Sequence, residues 1–96
     1  QTCVCAIRIL VQNGSYDRFA TRLVEEVSKL KVGNGLEQGV TIGPLINPAA
    51  VSKVTRHIAD ALSQGAKLLH GGRPEGDSQF VQPTVLGETH AGMLLA

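Results

Sequence analysis

The sequence has no long hydrophobic run, no surplus of charge of either sign, few cysteines and no glycine-rich phosphate loop. Each shortage removes a class of function. The longest uninterrupted apolar stretches are a few residues, far short of the roughly 20 a membrane-crossing helix needs, so no membrane partner is expected. Nine Lys plus Arg against eight Asp plus Glu leave a formal charge of +1, with no Lys/Arg run. Such a balance cannot neutralise a phosphate backbone, and nucleic acid is not expected either. The two cysteines, Cys3 and Cys5, are separated by one residue and do not make a secreted disulfide framework. They suit a reducing compartment, with the cytoplasm as the expected location and a mitochondrial parent as the alternative. A Cys-x-Cys pair supplies two soft ligands where structural zinc takes four. His57, His70 and His90 show no ligand spacing with the pair, so no metal is expected. Neither Gly-x-Gly-x-x-Gly nor Gly-x-x-x-x-Gly-Lys occurs, which excludes a dinucleotide or triphosphate loop within these residues. The opening Gln1-Thr2-Cys3 carries no initiator methionine and no basic leader, so a piece of a longer protein is expected.

What remains is an ordinary soluble composition: 96 residues, 43% hydrophobic and 18% charged, enough for one modest core. Residues 8–12 are a short apolar run stopped by Asn13-Gly14, which predicts a strand and a turn. Ser15 is placed to cap a helix over residues 15–32, with Asp17 in its first turn. Phe19, Leu23, Val27 and Leu30 then form one apolar stripe, and Gly33-Asn34-Gly35 is expected to close the helix. Asn47 followed by Pro48 predicts a second helix over residues 47–64, striped by Val51, Val54, Ile58 and Leu62 and stopped at Gly65. Residues 66–69 and 80–86 read as strands, the latter interrupted by Pro83 and so at an edge or a strand end. The order strand, helix, helix, strand, strand predicts a layered α/β helix–sheet unit. Both stripes are expected to face a sheet containing the strands at 8–12 and 66–69.

Few side chains carry chemistry on their own evidence. Cys3 is a nucleophile only if a base or a positive environment stabilises its thiolate; otherwise it is an inert core cysteine. His57 reads as a surface or packing histidine and His70 as a strand-end residue. Glu25 and Lys29 form a favourable four-residue pair on a solvated face. Lys53, one turn into the second helix, reads as solvent-exposed.

The opening residues change this picture. Gln1-Thr2-Cys3-Val4-Cys5-Ala6-Ile7-Arg8 resembles the active-site signature of aldehyde dehydrogenases, Gly-Gln-x-Cys followed four to five residues later by Arg. The similarity continues through Tyr16-Asp17-Arg18-Phe19, Lys31-Val32-Gly33-Asn34-Gly35 and Gly43-Pro44-Leu45-Ile46. It ends with Gly65-Ala66-Lys67, Gly71-Gly72 and Pro83-Thr84-Val85-Leu86. Together these motifs span the chain in the family's order, and the Gln-Thr-Cys-Val-Cys form resembles its succinate-semialdehyde branch.

The resemblance implies that residues 1–96 are part of a catalytic domain, with the nucleotide-binding domain outside them. It implies Cys3 as the nucleophile, NAD or NADP as the parent's cofactor, a small aldehyde as substrate, and a dimeric or tetrameric homo-oligomer. Lys53 matches a position able to approach the adenosine ribose, and Cys5 one thought to pair reversibly with the nucleophile. Ile7 departs from the pattern, standing where a small or polar residue is usual. The oxyanion-hole asparagine, the glutamate base and a Glu-x-Phe-Gly-Pro segment all belong outside this chain, so the chain alone is expected to be inactive. Two other classes fit the residues: a non-catalytic structural or interaction module on the same scaffold, and a cysteine-dependent hydrolase or acyltransferase.

Overall fold

A computed structural model describes residues 5–72 and 79–95. Helix α1 spans Asn13–Ser28 and helix α2 Pro48–Ser63, followed by strands β1 (Lys67–His70) and β2 (Val85–Gly87). The strands pair antiparallel, Lys67 with Gly87 and Leu68 with Leu86, and an irregularity then brings His70 opposite Val85. Helix α1 lies against β1, so the α/β layering expected from the sequence is present.

Helix α2 follows its local signals closely. The Asn47 side chain accepts the Ala50 N–H at 2.8 Å, and Pro48 occupies the first turn, where its missing N–H costs nothing. At the other end Gly65 takes a φ of +100°, and the Ala66 N–H returns to the Ala61 carbonyl at 3.0 Å. The stripe ends differently from expectation. Ala61 is fully buried, whereas Leu62 remains 39% exposed. The inward positions are therefore Val51, Val54, Ile58 and Ala61, at spacings of three, four and three. A small residue at the last of these lets Ala66 and Met93 close against the helix, with Leu86 and Leu95 around them.

Helix α1 departs further. It begins at Asn13 behind Gln12, which makes no side-chain cap, so Ser15 is inside the helix and Asp17 lies beyond the first turn. It ends at Ser28 with Lys29 in a right-handed conformation, not at Gly33-Asn34-Gly35. Those residues do other work: Val32 forms a parallel bridge with Ile42, and Asn34 Oδ1 accepts the Leu36 N–H at 2.9 Å. Leu30 thus falls outside the helix. The half-buried face is Tyr16, Ala20, Leu23 and Val27, with Phe19 39% exposed at its rim. Lys29 pairs with Glu26, three residues back, at 3.2 Å and not with Glu25.

The expected strand at residues 8–12 is absent. Gln12 is extended, at φ −61° and ψ 145°, but no described strand lies beside this segment. Extended backbone becomes a strand only when a neighbour completes its hydrogen bonds. The sheet consequently contains the second and third expected strands instead of the first two. Of residues 80–86, only Val85 and Leu86 enter β2. Pro83 has no N–H to give a ladder, and its carbonyl instead accepts from His70 Nδ1 at 2.9 Å.

Two ties hold the loops. Gln79 receives the Leu45 N–H through its carbonyl at 2.7 Å and donates its side-chain amide to the Leu45 carbonyl at 2.7 Å. Buried Leu45 is fixed by that reciprocal pair. The second tie centres on Asp60. Its carboxylate accepts the Leu94 N–H at 2.8 Å and the Gln64 side-chain amide at 3.0 and 2.9 Å, joining the turn at residues 90–94 to α2. The Leu94 N–H, then Gln64, hold the Asp60 carboxyl below its ordinary value of 3.8, with smaller help from His57 and His90.

Two outcomes follow from this packing. Gly71 has a φ of +73°, and a Cβ there would overlap the Pro83 carbonyl, whereas Gly35 has open space around it. In the complete protein, Gly71→Ala should cost about 1–3 kcal/mol or more. Gly35→Ala should have a far smaller effect, both read by chemical denaturation. Because folding depresses the Asp60 pKa, its stabilisation is fully present above the ordinary carboxylate range and is lost as pH falls through the lower folded value. Hydrogen exchange at Leu94 should therefore gain protection from Asp60 at neutral pH and lose it only once pH has fallen beneath the ordinary carboxylate range. Asp60→Asn should remove that acid-dependent step.

Candidate functional site

The motif-bearing segment lies along one wall of an apolar cleft. Cys3 itself, with Gln1, Thr2 and Val4, falls outside the described residues. Cys5 is exposed and carries a free thiol. From Ala6 to Val11 the chain borders a cleft of about 450 Å³, whose other walls are the Tyr16, Ala20, Leu23 and Val27 face of α1 and Leu69, Val85 and Leu86 of the sheet. Arg8, Tyr16, Thr84 and Thr89 are the polar side chains of this lining, and no α2 residue reaches it. An apolar cleft with one guanidinium offers packing and a charge, but neither a base nor a metal set. Among the described residues no group of three or more His, Cys, Asp or Glu side chains converges as metal ligands. No described helix is long and apolar enough to cross a membrane.

Ile7 is 88% exposed, so its branched side chain displaces nothing within the described residues. Lys53 is exposed on α2, away from the cleft. Its ammonium can donate to a hydroxyl of a bound molecule, and it is the one described residue for which the family resemblance implies a cofactor contact. The described residues therefore bring Arg8 beside the cleft and leave Lys53 elsewhere.

His57 and His90 both lie near Asp60, whereas His70 stands apart. His57 is half-buried on α2, one turn before Asp60. His70 ends β1 as expected and bonds the Pro83 carbonyl. His90 bonds the Gln64 carbonyl through Nε2 at 3.3 Å and receives the Gly92 N–H on Nδ1 at 3.1 Å. This polar cluster around Asp60, Gln64 and His90 was not singled out from the sequence. A signal for it exists: Asp60 lies in the last turn of a helix, where a negative charge opposes the macrodipole and needs another source of stabilisation.

Comparison with known proteins places this geometry. The chain is 56% identical over 92 residues to an NADP-linked succinate-semialdehyde dehydrogenase of Escherichia coli, covering 95% of this chain and 19% of that protein. It is 52% identical over 97 residues to a glutarate-semialdehyde dehydrogenase of Pseudomonas aeruginosa, covering 100% of this chain and 20% of that protein. The crystal structure of an aldehyde dehydrogenase from Brucella melitensis biovar abortus superposes with a TM-score of 0.93 at 53% identity, covering 99% of this chain and 20% of that one. The chain thus spans about one fifth of the length of the relatives it matches. Its whole length, residues 1–96, matches the aldehyde dehydrogenase family, and the chain belongs to that family.

Proposed function

We propose that residues 1–96 are part of the catalytic domain of an NAD(P)-dependent aldehyde dehydrogenase acting on succinate semialdehyde, with Cys3 as its nucleophile. The observation that carries this reading is the family match over the whole chain, opening on Gln1-Thr2-Cys3. The two relatives named above act, by their names, on semialdehydes of dicarboxylic acids. That supports a short aldehyde with a carboxylate at its far end. Either nicotinamide cofactor satisfies the chemistry. The Escherichia coli relative favours NADP.

In the proposed reaction the Cys3 thiolate adds to the aldehyde carbon. A C–S bond forms and the carbonyl electron pair moves to oxygen, giving a thiohemiacetal oxyanion. The backbone N–H of Cys3, with an asparagine outside this chain, holds that charge. A bound oxidised nicotinamide supplies the hydride acceptor. Loss of hydride from the tetrahedral carbon leaves a thioester on Cys3. Water then adds to the thioester as a glutamate outside this chain takes its proton, and the C–S bond breaks to release the carboxylic acid and restore the Cys3 thiolate. Lys53 donates a hydrogen bond to an adenosine ribose hydroxyl, and the fit of the described residues to the cofactor is confined to that donor. The complete protein would be a homo-oligomer, a dimer or tetramer, of the cytoplasm or, in the alternative, of the mitochondrion.

Cys3→Ala in the complete protein should abolish reduction of NAD or NADP by succinate semialdehyde while leaving cofactor affinity unchanged. Turnover near the parental rate would refute the assignment. Lys53→Ala should weaken cofactor binding by about tenfold or less, the range of one hydrogen bond of about 0.5–1.5 kcal/mol. Its effect should fall on the cofactor KM and spare kcat. The 96-residue chain alone should show neither turnover nor cofactor binding tighter than about 1 mM by calorimetry, because one amine cannot replace a pyrophosphate cradle.

A further inference from the structure

We propose that His90 is a proton-sensitive turn acceptor: neutral, it closes the turn that seats Met93 in the core, and protonated, it releases that turn. The inference is independent of the proposed reaction and rests on the turn's own hydrogen bonds.

The Gly92 N–H donates to His90 Nδ1 at 3.1 Å, so Nδ1 presents its lone pair and the ring proton sits on Nε2. That proton is shared with the Gln64 carbonyl at 3.3 Å. One neutral tautomer therefore serves both contacts. Between them the Met93 N–H returns to the His90 carbonyl at 3.2 Å, and Met93 is left only 3% exposed against Ala61 and Ala66.

The chain contains the same device in a form that cannot titrate. At the turn following residue 33, Asn34 Oδ1 accepts the N–H two residues ahead, from Leu36, at 2.9 Å. His90 occupies the equivalent place relative to Gly92, with an imidazole nitrogen where the amide oxygen would be. An amide oxygen accepts at every ordinary pH. An imidazole that gains a proton has donors on both nitrogens and no acceptor left. The added proton on Nδ1 then opposes the Gly92 N–H directly. His90 is exposed, so protonation needs no opening of the structure beforehand.

The charged groups near the ring set the direction. Asp60, on α2, attracts the imidazolium, and His57, one turn earlier on that helix, acts on the same carboxylate. Glu88, two residues before the turn, is held by Lys67 at 3.5 Å. Asp60 already holds the Leu94 N–H and Gln64. An imidazolium drawn to it competes with the bonds that tie the turn to α2.

The test uses the complete protein with methionine methyls labelled with carbon-13, the Met93 resonance being assigned by its loss in Met93→Leu. On acidification from pH 8 to 5, that resonance should shift or broaden in the parent protein and in His57→Gln. It should stay fixed in His90→Asn, which restores an acceptor without a titrating proton. In the parent protein alone, hydrogen exchange corrected for intrinsic rates should show protection at Gly92 falling several-fold over this range while Leu36 is unchanged. A Met93 resonance that is constant in the parent, or that moves identically in His90→Asn, would overturn the proposal. So would Gly92 exchange that tracks Leu36 throughout.

Discussion

Met93 reaches the side of α2 because a carboxylate one turn from the helix end holds the backbone that follows it. Asp60 accepts the Leu94 N–H and both its oxygens meet the Gln64 amide. Gln64 in turn donates to the Gly92 carbonyl at 3.3 Å. A charged acceptor makes the stronger kind of hydrogen bond, and here it is used to bring apolar surface together. The core it closes is small: Ala61, Ala66 and Met93, with Leu86 and Leu95 alongside. Two strands of four and three residues cannot cover two 16-residue helices. Burial is therefore concentrated where the end of α2, Ala66, Leu86 of β2 and the last turn meet, and α1 has no fully buried residue.

Legibility in the sequence followed how local each signal was. Asn47, Pro48 and Gly65 bound α2 through contacts within a few residues, and the helix stands where those residues place it. For α1 the same kind of signal pointed two residues late at the start and several residues late at the end. Ser15 competes with Asn13 and Gly14, which are already helical, and the apolar period running through Leu30 does not reveal that Lys31 and Val32 are claimed by Thr41 and Ile42. The Lys31 carbonyl takes N–H groups from both of those residues at 3.0 Å. That pairing spans a turn, and periodicity along one segment cannot register it. Residues 8–12 illustrate the same limit more strongly: their apolar content suits a strand, but pairing depends on a neighbour that the described residues do not supply.

The functional reading had a different source. Cys3 and Lys53 came from resemblance and not from composition or spacing. The family match supports the frame in which they were placed, while Cys3 lies outside the described residues and Lys53 is an exposed amine on α2. The polar cluster that organises the last turn was open to reading from the sequence by one route. An acid in the final helical turn is electrostatically disfavoured, so its presence asks for a partner. Gln64 is four residues on, at a spacing that brings side chains together. The Leu94 N–H is 34 residues away, and no local rule reaches it.

Chemistry and scaffold are separable within this piece of the family. A thiolate nucleophile must be held to fractions of an ångström by packed neighbours. Near the motif the described residues offer a wall of exposed apolar side chains, with Ile7 at 88% and Leu10 at 98% exposure. Around Ala61 they offer close packing and satisfied polar groups, with no side-chain nitrogen or oxygen left buried and unpaired among the described residues. The second region is closely packed, whereas the described segment that follows the family motif is exposed. Restoring the first region requires contacts that these described residues do not make, whereas the second is already complete in its hydrogen bonding. Family membership therefore extends over every residue of the chain, while close packing among the described residues is confined to the neighbourhood of Ala61.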